Sequence, residues 1–248
     1  MSVPSRTEQE RERLDAIAEN FSMRDGFNGY MTKYRVTTIL ENCPGRTVLD
    51  FASADCYMAE SLHPFYERIV CVDGSRELID RARQRLAGVE NVEYACSLIE
   101  DFDAKEKFDV VLLSFILEHV MNPVEVIQKA ARHCKPGGCL FVMVPNAESL
   151  HRRIGQKMGV LGELTDLNES DHKQGHRRVY TVQSLLADIE AGGLAVSTHG
   201  TFMLKPLSNA QMDQLDRTIA DAFFEVGRQL PGWGSSIYVK VVPQPIAQ

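Results

Sequence analysis

Between residues 47 and 144 the chain alternates short, uninterrupted apolar runs with stretches of helical periodicity. Residues 47–51, 69–73, 92–96, 108–114 and 139–144 read as strands. Helical patterns fill the intervals at 58–65, at 77–86 after Ser75, and at 122–134 with Pro123 in the first turn. Strands that lack polar alternation are covered on both faces, and strands separated by helices pair in parallel. This rhythm predicts an α/β fold built on a doubly wound, mostly parallel sheet. Pro136-Gly137-Gly138 reads as a turn. Upstream, helices are expected at 7–20 and from about Tyr30 to Asn42, stopping at Pro44-Gly45. Downstream the rhythm breaks. A polar stretch at 162–178 precedes a helix (182–191), a strand (194–199), a long amphipathic helix (208–230) and a last strand (236–242). The long helix carries Leu215, Ile219, Ala222 and Phe223 at helical spacing.

A chain of 248 residues with 44% hydrophobic and 25% charged residues has enough apolar surface for one large domain with appendages. The net charge of −7 gives no global footprint for nucleic acid, so no nucleic-acid partner is expected. No apolar run approaches the ~20 residues that span a bilayer, so no membrane association is expected either. The first fifteen residues are polar and carry both charges, unlike a secretory or transit peptide, and a cytoplasmic location is the expectation. The six cysteines form no metal-ligand spacing; Cys71, Cys96 and Cys139 lie in strand-like runs and read as reduced structural thiols.

Ligands of doubly wound sheets sit beyond the carboxyl ends of the strands, at the topological switch point. The first strand leaves through Asp50-Phe51-Ala52-Ser53-Ala54-Asp55-Cys56, a turn of small residues that begins with a carboxylate. The second strand ends in Asp73, 23 residues later, where an acid can accept hydrogen bonds from vicinal ribose hydroxyls. A pyrophosphate site is disfavoured, because it needs bare glycine backbone and no glycine occurs between Phe51 and Leu62.

The segments VLDFASADCYMAESL, VCVDGS, FDVVLLSFILEHVMNP and HCKPGGCLFVMVPN together resemble the class I S-adenosylmethionine-dependent methyltransferases of the small-molecule type. The resemblance covers about residues 46–146. It implies a Rossmann-like sheet of the seven-stranded methyltransferase type. It implies residues 46–248 as the cofactor-binding domain, residues 1–45 as a helical cap, and an acceptor-side insertion at about 147–180. Its cofactor is S-adenosyl-L-methionine, its product S-adenosyl-L-homocysteine. Matched position by position, Asp50 faces the methionine end of the cofactor and Asp73 the ribose, with Gly74 beside it. Ala52, Ala54 and Cys56 stand where the family has glycine. Leu98 and Ile99 fall at the adenine position, without the usual nearby acid, and Ser114 ends the fourth strand.

The insertion between His151 and Arg178 carries six basic side chains against four acidic ones, in an acidic chain. Arg177 and Arg178 are therefore candidates for an anionic acceptor. His172, His176 and Tyr180 are candidate bases, and His119 of the LEHV segment is a further catalytic candidate, although Glu118 and His119 also read as a structural helix start. Tyr30 and Tyr34 are candidates to line the acceptor pocket. His172 and His176 with Glu169 or Asp171 have metal-ligand chemistry, but all come from one loop with no third-site partner, so no metal is expected. The expected activity is methyl transfer to an O or N atom of a small molecule, with anionic, sugar and secondary-metabolite intermediates among the acceptors. The alternatives are a cofactor-binding protein of this fold with lost or non-methylating activity, and a macromolecule methyltransferase. A homodimer is compatible with all three.

Overall fold

The computed structural model describes Leu14, Asp15 and residues 24–243. The helix expected at 7–20 otherwise lies outside these residues. The described elements run α1 (Gly26–Asn42), β1 (Thr47–Phe51), α2 (Ala59–Leu62) with a 3-10 turn (His63–Phe65), β2 (Arg68–Asp73), α3 (Arg76–Arg85), β3 (Val92–Cys96), β4 (Phe108–Ser114), α4 (Pro123–Ala131) and β5 (Cys134–Pro145). Then come α5 (Leu150–Lys157), α6 (Glu169–Lys173), α7 (Val182–Ala191), β6 (Val196–Phe202), α8 (Asn209–Met212), α9 (Arg217–Gln229) and β7 (Ser236–Val241).

The strands form a seven-stranded sheet of order β3-β2-β1-β4-β5-β7-β6. β1 to β5 are parallel; β7 enters antiparallel between β5 and β6. The order reverses between β1 and β4, which opens a crevice at their carboxyl ends. Successive side chains of a strand point to opposite faces, so Val48 joins the apolar cluster under α1 and α9, while Leu49 and Phe51 join the one under α4 and α7. Both faces of the central strands are thus dry, as their unbroken apolar runs require. Among the described residues no helix is long and apolar enough to cross a membrane.

Three local expectations change. The Pro136-Gly137-Gly138 segment does not precede a strand but lies within β5: Phe108 pairs with Cys134 and Val110 with Cys139, so the extra residues bulge out. A Cβ at Gly138 would sit 2.8 Å from the Asp109 carbonyl oxygen, which only glycine avoids. The long helix at 208–230 is two helices, because Ser208 and Asp216 each cap a helix of their own. The buried stripe of α9 is Ala220, Phe224 and Gly227, whereas Ile219 is exposed. Cys96, at the end of edge strand β3, is exposed rather than buried.

Candidate functional site

The crevice is built first by two acids. Asp50 stands one residue before the end of β1 and Asp73 is the last residue of β2; they are 2% and 7% exposed. Asp73 Oδ2 accepts from the Ala54 amide at 2.8 Å and Oδ1 from the Ser75 amide at 2.9 Å, which ties the β1 exit to the β2 exit. Each oxygen keeps a free lone-pair site. Burial raises Asp73 to about 6 although these two amides oppose it. Asp50 is pushed up to about 7, by burial first and then by the charge of Asp73. The turn between the acids is left-handed at each position where glycine was expected: Ala52, Ala54 and Cys56 have φ of 53°, 51° and 55°. The backbone shape therefore persists without glycine, at a steric cost. Gly74 is where close approach matters. A Cβ there would lie 2.6 Å from Leu14 Cδ1 and 2.7 Å from Leu98 Cδ2. The Ser75 hydroxyl donates to Asp15 at 2.5 Å. Ile99 is buried beside Leu98, and the Ser97 amide donates to the Asp73 carbonyl.

The second half of the site forms at the exit of β4. Ser114 is buried with its hydroxyl unpartnered, and Phe115 is left-handed with φ of 57°. Arg35 of α1 places its guanidinium 4.3 Å from the Phe115 ring centroid, in cation–π range, and donates to the Tyr57 hydroxyl at 3.4 Å. Its Nε is buried without a partner. Glu118 is 1% exposed and is raised to about 7, chiefly by burial, against the opposing charges of His176, Arg35 and Arg178.

The insertion docks here. The Arg177 amide donates to the Glu118 carbonyl at 2.7 Å, and its guanidinium donates to the His119 carbonyl at 2.8 Å. Arg178 donates to the carbonyls of Leu117, Val120 and Met121. His176 then stacks edge-on against His119, ring centroids 4.8 Å apart. Its Nδ1 lies 3.0 Å from Asp171 Oδ1. Arg152 of α5 donates to Asp171 Oδ2 at 3.0 Å and to the Leu164 and Asp166 carbonyls. Burial pushes Asp171 up, but the bonds from His176, the Asn168 amide and Arg152 outweigh it and hold the carboxyl well below its usual range.

The structure thus brings together Asp50, Ala52, Ala54, Cys56, Asp73, Gly74, Leu98 and Ile99 on one side of the crevice. Ser114, His119 and His176 lie on the other. The remaining candidates sit elsewhere. His172 is exposed on α6. Tyr180 is buried, with its hydroxyl on Asp188 and its backbone bridged to Asn146. Tyr30 and Tyr34 both bond Asp221 of α9, and Tyr34 stacks on Phe224. Arg177 and Arg178 hold backbone carbonyls rather than facing the crevice. Sequence reasoning missed Arg35, Tyr57, Arg152 and Lys205, and set Glu118 aside as a helix start. The signal for Arg35 was a charged residue inside an otherwise core-facing helix. Lys205 is half-buried and lowered to about 8 by burial and by the charges of Arg35 and Arg152. His151 nearby is lowered to about 3, mainly by burial.

No hydrogen bond reaches the Asp50 carboxylate among the described residues, so a buried acid lacks the cation that would justify its burial. A ligand with an ammonium group at one end and vicinal hydroxyls further along would match the charge and the free acceptor sites of Asp50 and Asp73. S-adenosylmethionine is such a molecule, and this fold with this pair of acids defines the class I S-adenosylmethionine-dependent methyltransferases. The chain belongs to that family, matching the methyltransferase domain over residues 27–199. It is 35% identical over 107 residues to the ubiquinone biosynthesis O-methyltransferase of Xanthomonas oryzae pv. oryzae, a match covering 41% of this chain and 44% of the relative. The chain thus matches less than half the length of these curated relatives. The fold is similar to that of N-methyltransferase NodS from Bradyrhizobium japonicum in complex with S-adenosyl-L-homocysteine, with a TM-score of 0.58 and 15% identity over 96% of this chain and 98% of that one. It is similar also to the DhpI-SAM-HEP complex, with a TM-score of 0.61 and 16% identity over 97% and 100% of the two chains.

Proposed function

We propose that this chain transfers a methyl group to a hydroxyl oxygen of a small, anionic acceptor. The observation that carries the reading is the acidic and imidazole cluster at the β4 exit, Glu118 with His119 and His176, across the crevice from Asp50. Bound S-adenosylmethionine supplies a methyl group on a sulfonium. Asp50 neutralises the ammonium end of that cofactor and Asp73 holds its ribose hydroxyls. Arg35 joins the Tyr57 hydroxyl to the Phe115 ring at the β4 exit. There Glu118 and His176 take the proton of the acceptor hydroxyl as its oxygen displaces the thioether leaving group. A hydroxyl needs such help, whereas a neutral amine does not. The buried, unpartnered Nε of Arg35 and the half-buried Lys205 favour a carboxylate or phosphate group on the acceptor. The O-methyltransferase relatives support the choice of oxygen. The test is incubation of the full chain with S-adenosylmethionine and hydroxylated carboxylates, read by mass analysis. A product one methylene heavier on oxygen is expected. Methylation only of amine acceptors, or of none with cofactor bound, overturns the reading.

A further inference from the structure

Two cations beside the crevice, Arg35 and Lys205, pair with no acid among the described residues. Arg35 is 6% exposed, its Nε is buried without a partner, and its hydrogen bonding is limited to the Tyr57 hydroxyl. The Lys205 ammonium donates to Asn209 Oδ1 at 2.7 Å. Three segments bring these groups to one place. β6 pairs antiparallel with β7, which pairs antiparallel with β5, so β6 runs with the parallel set and leaves the sheet at the edge where β1 and β4 end. Its exit is fixed at Met203, left-handed with φ of 62°, whose carbonyl accepts from the Ser235 amide, and at Leu204, whose amide donates to the Phe223 carbonyl. Lys205 follows directly. Asn209 then reaches α1, its Nδ2 donating to Asn28 Oδ1 at 2.6 Å. Asn28 and Arg35 are two helical turns apart and therefore share one face of α1. The third segment is the first turn of α5, where His151 has a buried, unpartnered Nδ1. The charges of Arg35 and Arg152 bear on Lys205, and the charge of Lys205 helps to keep His151 neutral. Arg152 is already satisfied by Asp171, and Asp171, the acid that opposes these charges, is already engaged by Arg152 and His176. Positive charge thus remains in a poorly hydrated place, which is costly unless an anion joins it.

We propose that Arg35, Lys205 and His151 form an oxyanion subsite that holds the carboxylate or phosphate end of the methyl acceptor, with Lys205 setting the choice of anionic over neutral acceptors. That the occupant is the acceptor rests on the methyl-transfer reading above; that the subsite takes an oxyanion does not. The guanidinium of Arg35 presents a planar fork, kept in orientation by the Phe115 ring beneath it. The ammonium of Lys205 is a point charge that adapts to the remaining oxygens. His151 donates as a neutral imidazole through Nδ1. The subsite fixes one end of the acceptor while Glu118 and His176 take the proton at the other, so that the hydroxyl is positioned for in-line attack on the methyl carbon.

The experiment has two arms, both on the full chain. In the first, without cofactor, thermal melts are recorded in inorganic phosphate and in sodium chloride of the same ionic strength. Phosphate should raise the melting temperature beyond the salt control. Lys205→Met and Arg35→Gln should each remove most of that rise, and Lys205→Arg should keep it. In the second, with S-adenosylmethionine, a hydroxylated carboxylate is compared with its methyl ester and with the corresponding phosphate ester. Lys205→Met should raise KM for the carboxylate roughly 10–100-fold, with a smaller change in kcat, and abolish the preference over the methyl ester. The lower KM of the two anionic acceptors tells which oxyanion the subsite takes. A phosphate effect no larger than that of salt, or one that persists in Lys205→Met, overturns the proposal. So does equal KM for the carboxylate and its ester in the unsubstituted chain. Arg35→Gln decides the matter if Lys205→Met does not fold. A phosphate effect lost in the variants of a chain that methylates none of the acceptors overturns the methyl-transfer reading and leaves the subsite standing; methylation of carboxylate and ester alike does the reverse.

Discussion

Asp171 and His176 face each other at 3.0 Å, both side chains nearly buried, in a segment that is otherwise polar loop. The same carboxylate holds Arg152 at 3.0 Å, so one acid anchors α5 and the imidazole together. Asp171→Asn leaves the buried Arg152 charge without its partner. We expect a loss of about 3–5 kcal/mol in unfolding free energy, measured by denaturant titration. The Asp171 carboxyl is held below its ordinary value, so its stabilisation is present above the unfolded pKa and disappears as pH falls through the folded one. The variant and the unsubstituted chain should therefore converge in stability only under strongly acidic conditions.

Asp50 carries the opposite sign. Its folded pKa of about 7 lies above the unfolded one, so the unliganded chain gains from this group below the unfolded pKa and loses that gain as pH rises to about 7. Asp50→Asn removes the loss. At pH 8 the apo variant should exceed the unsubstituted chain in unfolding free energy by up to roughly 4 kcal/mol, read as a higher melting temperature, with no advantage below about pH 4. Its affinity for S-adenosylmethionine should fall sharply. Equal melting temperatures at pH 8 would sink the assignment of Asp50 as an uncompensated buried acid.

The left-handed alanines carry a third expectation. Ala52→Gly and Ala54→Gly relieve a Cβ clash at φ near 50° and should stabilise the chain by up to about 1 kcal/mol each, with cofactor affinity kept or improved. Cys56 is wholly buried, so Cys56→Gly gains the same relief but loses packing and should be near neutral. Thermal melts with and without S-adenosylhomocysteine read both effects.

The insertion gives the last comparison. His172→Ala alters an exposed ring and should change stability by less than about 0.5 kcal/mol and leave turnover intact. Arg178→Ala removes the donor to three carbonyls of the LEHV turn and should cost about 2–3 kcal/mol, with a fall in turnover as Glu118 and His119 loosen. Steady-state assays beside denaturation curves distinguish the two positions. Equal effects would show that the insertion is not docked through Arg178.

The strand rhythm and the acids at 50 and 73 were legible in the linear chain, because parallel strands buried on both faces need unbroken apolar runs and a switch point needs its ligands at strand ends. The conformation of the first turn was not. Glycine signals left-handed backbone, whereas Ala52, Ala54 and Cys56 are drawn into it by the Asp73 carboxylate and the packing around them. The two halves of the 208–230 segment were also hidden, since periodicity continues across a break that side-chain caps create. The acceptor side depended most on tertiary structure. Arg177 and Arg178 read as anion binders because guanidinium groups favour oxyanions, yet backbone carbonyls of the β4 exit meet the same donors. Glu118 and His176 are 58 residues apart, and no local pattern links them. Their meeting depends on where the insertion lands after β5, a matter of long-range packing that sequence spacing does not encode. The sequence by itself thus determined the sheet, the pair of acids at its switch point and the family. The folded chain alone decided which imidazole stands behind which carboxylate, because burial and distance exist only once the segments are packed.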